Sequence, residues 1–269
     1  MEVFTKFGYN FAALQLYFKK YGTAGKPVII LHGLFGMSDN WHTIARKLSE
    51  INTVYTLDQR NHGQSPHSGT MNYGVMADDI WEFMNAENLG EAILIGHSMG
   101  GKTAMMFAHK YPDKTEKLIV VDIAPKTYKP GHQVYFDAMK EIDFKASGRK
   151  EIEEQLAEKI TDKAEMLFLL KNLYRKDDGE FGLKINLKAI ENNYQEIIGE
   201  IEFNKPLDIP TLFIKGENSN YISEKDKENI KQKFSNVAFA EVPEAGHWVH
   251  AENSEGFLKV VNDFLNNKF

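Results

Sequence analysis

Five residues constrain this chain more than any others: Gly96-His97-Ser98-Met99-Gly100. They follow an apolar run, Ala92 to Ile95, and open a run of helical character from Met99 to Tyr111. Strand, sharp turn and helix with a serine at the apex is the pattern of a nucleophile elbow. The turn forces the apex residue into a strained backbone conformation, and a side chain at Gly96 or Gly100 would crowd it. The strain lifts the hydroxyl above the sheet. It also leaves the N–H of Met99 at a helix N-terminus, where it can face a developing negative charge. A bare pentapeptide of this kind also arises by chance at an ordinary helix entry, so its context has to decide.

The context is a set of alternating strands and helices. Val3 to Phe7 and Leu14 to Lys20 alternate apolar and polar residues around a turn at Gly8-Tyr9-Asn10. Pro27–Leu31, Thr53–Leu57, Ala92–Ile95, Lys117–Asp122, Pro210–Lys215 and Val237–Val242 complete eight strands. The continuous β-branched runs fit strands buried on both faces, as in a parallel sheet. Helical spacing lies between them, at Trp41, Ile44, Ala45 and Leu48 after Ser38-Asp39-Asn40, and at Met76, Ile80, Phe83 and Met84. Ile222–Phe234 and Ser254–Leu265 are the last two helices. The class is α/β, a mainly parallel eight-stranded sheet with helices on both faces. Residues 126–209 break the alternation. Ile152, Leu156 and Ile160, then Ala164, Leu167 and Phe168, recur at helical spacing, and Phe181, Leu183, Ile185 and Leu187 alternate after Asp178-Gly179. This region reads as an inserted, mostly helical cap, with 1–125 and 210–269 forming the core domain; insertions so placed often act as lids.

Composition removes whole classes of chemistry. The 269 residues include no cysteine, so disulfides, thiol nucleophiles and cysteine-held metals are excluded. A net charge of −6 without long basic runs speaks against nucleic acid as a partner. No apolar stretch has membrane-spanning length, and Met1 to Asn10 lacks the apolar segment of a signal peptide, so a cytoplasmic location is expected. His247 and His250 have helical spacing but no accompanying carboxylate motif, so no metal is expected.

Serine is a weak nucleophile at neutral pH and needs a base, which in turn needs an orienting acid. His247 lies in a Gly-His loop between the last strand and the last helix, in keeping with the chain order serine, acid, histidine. His97 flanks the serine and should point elsewhere, and His109 lies within a helix. In His32-Gly33-Leu34-Phe35-Gly36 the backbone must turn beneath the apex serine. The N–H of Leu34, or of Phe35, is the expected second oxyanion donor opposite that of Met99. His32 follows a buried strand and is expected to brace this loop, while Asp58 and Arg60 fit an ion pair or loop anchor.

With these residues in view, the chain resembles the α/β hydrolases over nearly its whole length, and within them the YbfF-type bacterial esterases. The resemblance is carried by His32–Gly36, Arg60-Asn61-His62-Gly63, Gly96–Lys102, Val121–Pro125 and Gly246-His247-Trp248-Val249-His250. Most α/β hydrolases take their acid from the loop after the seventh strand. Here that loop reads Glu217-Asn218-Ser219-Asn220. The subgroup instead uses the aspartate ending the sixth strand, which implies Asp122 as the acid and Ser219 as a supporting residue. Glu217 and then Asp226 are the alternatives.

The resemblance implies a serine carboxylesterase acting through an acyl-enzyme on small-molecule esters, with acyl thioesters such as acyl-CoA open to the same chemistry, and no cofactor. Phe35, Met99, Trp248, Phe136, Phe168 and Tyr174 are candidates to line an acyl pocket. Carbon–carbon hydrolysis or a lyase reaction on the same elbow remains an alternative. So does a catalytically silent receptor. Haloalkane and epoxide hydrolysis need a carboxylate where Ser98 stands.

Overall fold

A computed structural model describes residues 13–269. The expected first strand, Val3 to Phe7, and its turn lie outside the described residues. Nine strands run in chain order as β1 (Phe18–Tyr21), β2 (Pro27–Leu31), β3 (Thr53–Leu57), β4 (Ala92–His97), β5 (Thr115–Val121), β6 (Leu173–Arg175), β7 (Phe181–Leu183), β8 (Thr211–Gly216) and β9 (Val237–Val242). Seven of them form the main sheet in the order β1-β3-β2-β4-β5-β8-β9, and every pair is parallel except β1 with β3.

Side-chain alternation along the central strands dictates a two-sided core. Ile29, Leu31, Leu94, Leu118 and Val120 face one way. There they meet Ile80, Phe83, Ala104 and Phe107 of helices α2 (Tyr73–Ala86) and α3 (Met99–Lys110). Val28, Ile30, Ile93, Ile95 and Ile119 face the other way. They pack with Ile44 and Leu48 of α1 (His42–Leu48) and with Phe257 and Val261 near the C-terminus. Each half of an apolar strand run therefore has its own helical cover, as the continuous runs anticipated.

The segment 126–209 contributes α4 (Gln133–Lys140), α5 (Arg149–Ala157), α6 (Lys163–Leu170), α7 (Leu187–Asn192) and α8 (Tyr194–Ile198), with β6 and β7 as an antiparallel hairpin. The hairpin is shorter than the alternation in sequence suggested. Asn186 accepts from the Ala189 N–H at 3.2 Å and so caps α7, which draws Leu187 into that helix. The apolar faces of this segment form one cluster with Phe35, Met71, Met76 and Met99 from the α/β part, so it sits on the loops at the carboxyl ends of β2 and β4. After β8 come α9 (Glu224–Lys233), α10 (Val249–Glu252) and α11 (Ser254–Leu265). Ser38 to Trp41, expected as a helix start, forms a 3-10 turn leading into α1.

Two buried ions fix the loops around the site. Arg60 is 2% exposed and grips both oxygens of Asp79, Nε to Oδ2 at 2.6 Å and Nη2 to Oδ1 at 2.7 Å. Burial pushes the Asp79 carboxyl up, against the pull of Arg60. Asp58 accepts from the Ser38 and Gln64 N–H groups at 2.6 and 2.8 Å. Both residues are loop anchors, the role their position at the end of a strand suggested.

Candidate active site

The turn from β4 to α3 has the strain its sequence implied. Ser98 has φ 52° and ψ −119°, which few residues other than glycine adopt. Neighbours hold it there: its N–H donates to Val121 O at 3.0 Å, and its carbonyl accepts from Gly101 and Lys102 at 2.9 and 3.1 Å. The motif glycines are needed for clearance. A Cβ on Gly96 would lie 2.2 Å from Gly100 O, and one on Gly100 would lie 2.4 Å from Leu31 O. Asp122, one residue past β5, is strained in the same way, with φ 52°.

Asp122 is fully buried and accepts three hydrogen bonds. His247 Nδ1–H donates to Oδ2 at 2.7 Å, Ser219 Oγ to Oδ2 at 2.5 Å, and the Gly216 N–H to Oδ1 at 3.2 Å. With its Nδ1 proton held by the carboxylate, His247 presents a free Nε2 lone pair. Two other residues hold His247, one at its ring and one at its backbone, and nothing in the sequence marked either for this role. Tyr221 stacks on it, with centroids 3.8 Å apart and planes at 13°. His97 Nε2–H donates to the His247 carbonyl at 2.8 Å. Ser98 and His247 line the same cavity, but among the described residues no hydrogen bond joins the Ser98 hydroxyl to the imidazole.

The other acid candidates are used elsewhere. Glu217 is exposed and accepts from the Glu244 N–H at 2.8 Å. Asp226 caps α9 through Ser223 and pairs with Lys126 at 2.5 Å. Neither has a hydrogen bond to His247.

The histidines of the neighbouring loops are braces. His32 donates from Nδ1 to Gly33 O at 2.8 Å and accepts the Gln59 N–H on Nε2 at 3.0 Å, and burial pushes its pKa down to about 4. His62 donates from Nδ1 to Arg60 O at 2.9 Å, which leaves Nε2 to accept the Phe35 N–H at 3.2 Å. That bond occupies one of the two candidate oxyanion donors. The Phe35 N–H is taken, whereas the Leu34 N–H has no acceptor among the described residues. Met99 is the first residue of α3, so its N–H has no partner within the helix. His250 stacks on Trp41 at 3.8 Å.

Two cavities meet at the serine. The larger, of about 310 Å3, has Phe35, Trp41, Phe168, Leu169 and Trp248 among its walls. The smaller, of about 160 Å3, is walled by Tyr73, Met99, Lys102, Tyr128 and Ile197. Leu34, Ser98, His132, Tyr135 and Tyr221 border both. Of the expected pocket residues, Phe136 is fully buried in the apolar cluster, and Tyr174, 43% exposed, borders a separate surface depression; neither reaches these cavities. Lys102 is 1% exposed, and its ammonium donates to Lys126 O at 2.8 Å, to Ile198 O at 3.2 Å and to Gly199 O. Burial lowers its pKa to about 7. It ties the helix after Ser98 to both ends of the segment above.

A parallel sheet with a strained serine after its central strand, faced by a histidine–aspartate pair from two later loops, defines the α/β hydrolases. The model of the alpha/beta hydrolase fold matches residues 26–254, and the chain belongs to that family. Among its relatives is the sn-1-specific diacylglycerol lipase ABHD11 of Danio rerio, 38% identical, with 89% of this chain and 78% of the relative covered. Another is esterase YbfF of Escherichia coli K12, 34% identical over 89% of this chain and 93% of the relative. A solved marine microorganism esterase is 46% identical and superposes with a TM-score of 0.91, covering 93% of this chain and 99% of its own.

Proposed function

We propose that the chain is a serine carboxylic ester hydrolase, with Ser98 as nucleophile, His247 as general base and Asp122 as the acid that orients it. The observation that carries this reading is the bond of 2.7 Å from His247 Nδ1 to a fully buried Asp122, in the pocket that Ser98 lines. The names of its relatives, esterases and a lipase, support the same class.

In the proposed reaction an ester carbonyl enters the junction of the two cavities. His247 Nε2 takes the Ser98 proton as Oγ attacks, a contact that tightens once substrate is bound. The Leu34 and Met99 N–H groups receive the oxyanion; losing one such donor typically costs about 2.7–4 kcal/mol of transition-state stabilisation. Asp122 keeps the proton on Nδ1 and stabilises the imidazolium, and Ser219 holds Asp122. The imidazolium protonates the leaving alcohol. His247 then activates a water that releases the acid.

The two cavities suit an ester with an apolar arm in the larger cavity and a shorter, more polar arm in the smaller. Segment 126–209 acts as a cap over both, with Lys102 as its fastening. Thioesters fall under the same mechanism, since the leaving thiolate needs less protonation than an alkoxide. The test is hydrolysis of p-nitrophenyl esters of increasing acyl length, with Ser98→Ala as control. Turnover that falls by about 10⁴ or more in a folded mutant supports the reading. A mutant as active as the wild type would refute it.

A further inference from the structure

His132, on the proposed cap, borders both cavities together with Ser98, and its tautomer can be read from its surroundings. Tyr194, at the start of α8, is 7% exposed and places its hydroxyl 2.6 Å from His132 Nδ1. The same oxygen accepts the N–H of Gly131 at 3.1 Å and the N–H of His132 at 3.2 Å. A phenolic oxygen has two lone pairs and one proton. Both lone pairs are engaged, so the proton goes to His132 Nδ1, which must accept it. A neutral imidazole that accepts at Nδ1 carries its hydrogen on Nε2. That Nε2–H has no acceptor among the described residues. Phe35 lies edge-on to the ring at 6.0 Å and Tyr194 at 5.6 Å, which limits its rotation.

We propose that His132 is a substrate-contacting residue, a preoriented neutral hydrogen-bond donor that meets an oxygen of the scissile ester with Nε2–H when the ester lies against Ser98. This rests on the ester-hydrolase reading above and adds a contact from the cap to those made by the two oxyanion N–H groups. Burial keeps the ring neutral, with a pKa of about 4, so the donor persists across the range in which His247 must be unprotonated. Tyr194 acts through His132 and is a positioning residue. It supplies the proton that excludes the other tautomer.

The experiment uses the full chain and p-nitrophenyl butyrate. His132→Phe keeps a ring against Phe35 and Tyr194 but removes the donor, and His132→Gln restores an N–H. The expected result is a ten- to hundredfold fall in kcat/KM for His132→Phe, partial recovery in His132→Gln, and melting temperatures near that of the wild type. A His132→Phe enzyme within twofold of the wild type overturns the proposal. Nitrogen-15 spectra of the imidazoles are the second arm. Protonation of His132 at Nε2, with a resonance that moves when butaneboronic acid is added, supports it; protonation at Nδ1, or a resonance that stays still, overturns it. A wild type inert toward every ester would sink the hydrolase reading instead, and the donor would then be judged on the spectra alone.

Discussion

Asp122→Asn tests the assigned acid against Glu217, the first of its alternatives. In the wild type Asp122 Oδ1 takes the Gly216 N–H, while Oδ2 takes both His247 Nδ1 and Ser219 Oγ. An asparagine that keeps the Gly216 bond turns its NH2 toward His247. A donor there forces Nδ1 to accept and moves the ring hydrogen to Nε2, where it faces Ser98. The base is then blocked by its own proton. Two hydrogen bonds to a charged group go with it, typically worth about 1.5–3 kcal/mol each. The expected fall in kcat is on the order of 10³–10⁴, which is about 4–5.5 kcal/mol in the barrier. Glu217→Gln is the matched control. Glu217 is exposed and serves a backbone N–H of the next loop, so its loss should change the rate by less than about twofold. The assay is steady-state hydrolysis of p-nitrophenyl butyrate at pH 8, with circular dichroism to establish that both variants fold. A loss of about 10³ in Glu217→Gln together with near-normal turnover in Asp122→Asn would refute the assignment of the acid.

Other perturbations probe the parts around it. Ser219→Ala removes one donor to Asp122 and the acceptor of the Tyr221 N–H, and should lower kcat about ten- to hundredfold without changing which bond is cleaved. Asp79→Asn leaves the Arg60 charge buried beside a neutral group and should cost roughly 3–5 kcal/mol in urea unfolding; an unchanged midpoint would contradict the anchoring role. Stability should also fall on acidification. His32, His62 and His250 are buried with pKa values pushed down to about 4, 3 and 3, against 6.5 for the free group. Below pH ~6.5 the unfolded chain binds more protons than the native one, so ΔG of unfolding declines as pH falls, by about 3 kcal/mol for each such histidine at pH 4. Thermal melts at pH 7, 6 and 5 would test this, and a flat midpoint would count against it.

Much of the molecule was legible in the chain because its signals are local. The runs Val28–Leu31 and Leu118–Val121 are apolar on both faces of a strand, which requires cover on both sides. Gly96 and Gly100 mark a turn where any Cβ collides with backbone. Seven of the eight expected strands lie in the described residues and pair in one sheet, and the eighth falls outside them. A strained serine between a strand and a helix could likewise be read from five residues, since the strain belongs to the turn itself.

What the sequence could not decide depends on residues far apart in the chain. Residue type alone does not separate Glu217, Asp226 and Asp122 as partners for a histidine, and Asp122 was favoured only through the family resemblance. Only the packing of β5 beside β8 brings Gly216 and Ser219 onto Asp122 and leaves the other two facing elsewhere. Leu34 was the expected donor with Phe35 as its alternative, and it is His62, 27 residues from Phe35, that takes the Phe35 N–H. Tyr221 against His247, and Tyr194 against His132, carry no motif at all. They meet because the loops and segment 126–209 converge over the end of the sheet. Periodicity and backbone strain are written residue by residue, and so the chain alone determined its fold and its apex serine. Which hydrogen bond each polar group makes is a competition among neighbours, and only the tertiary structure supplies the neighbours.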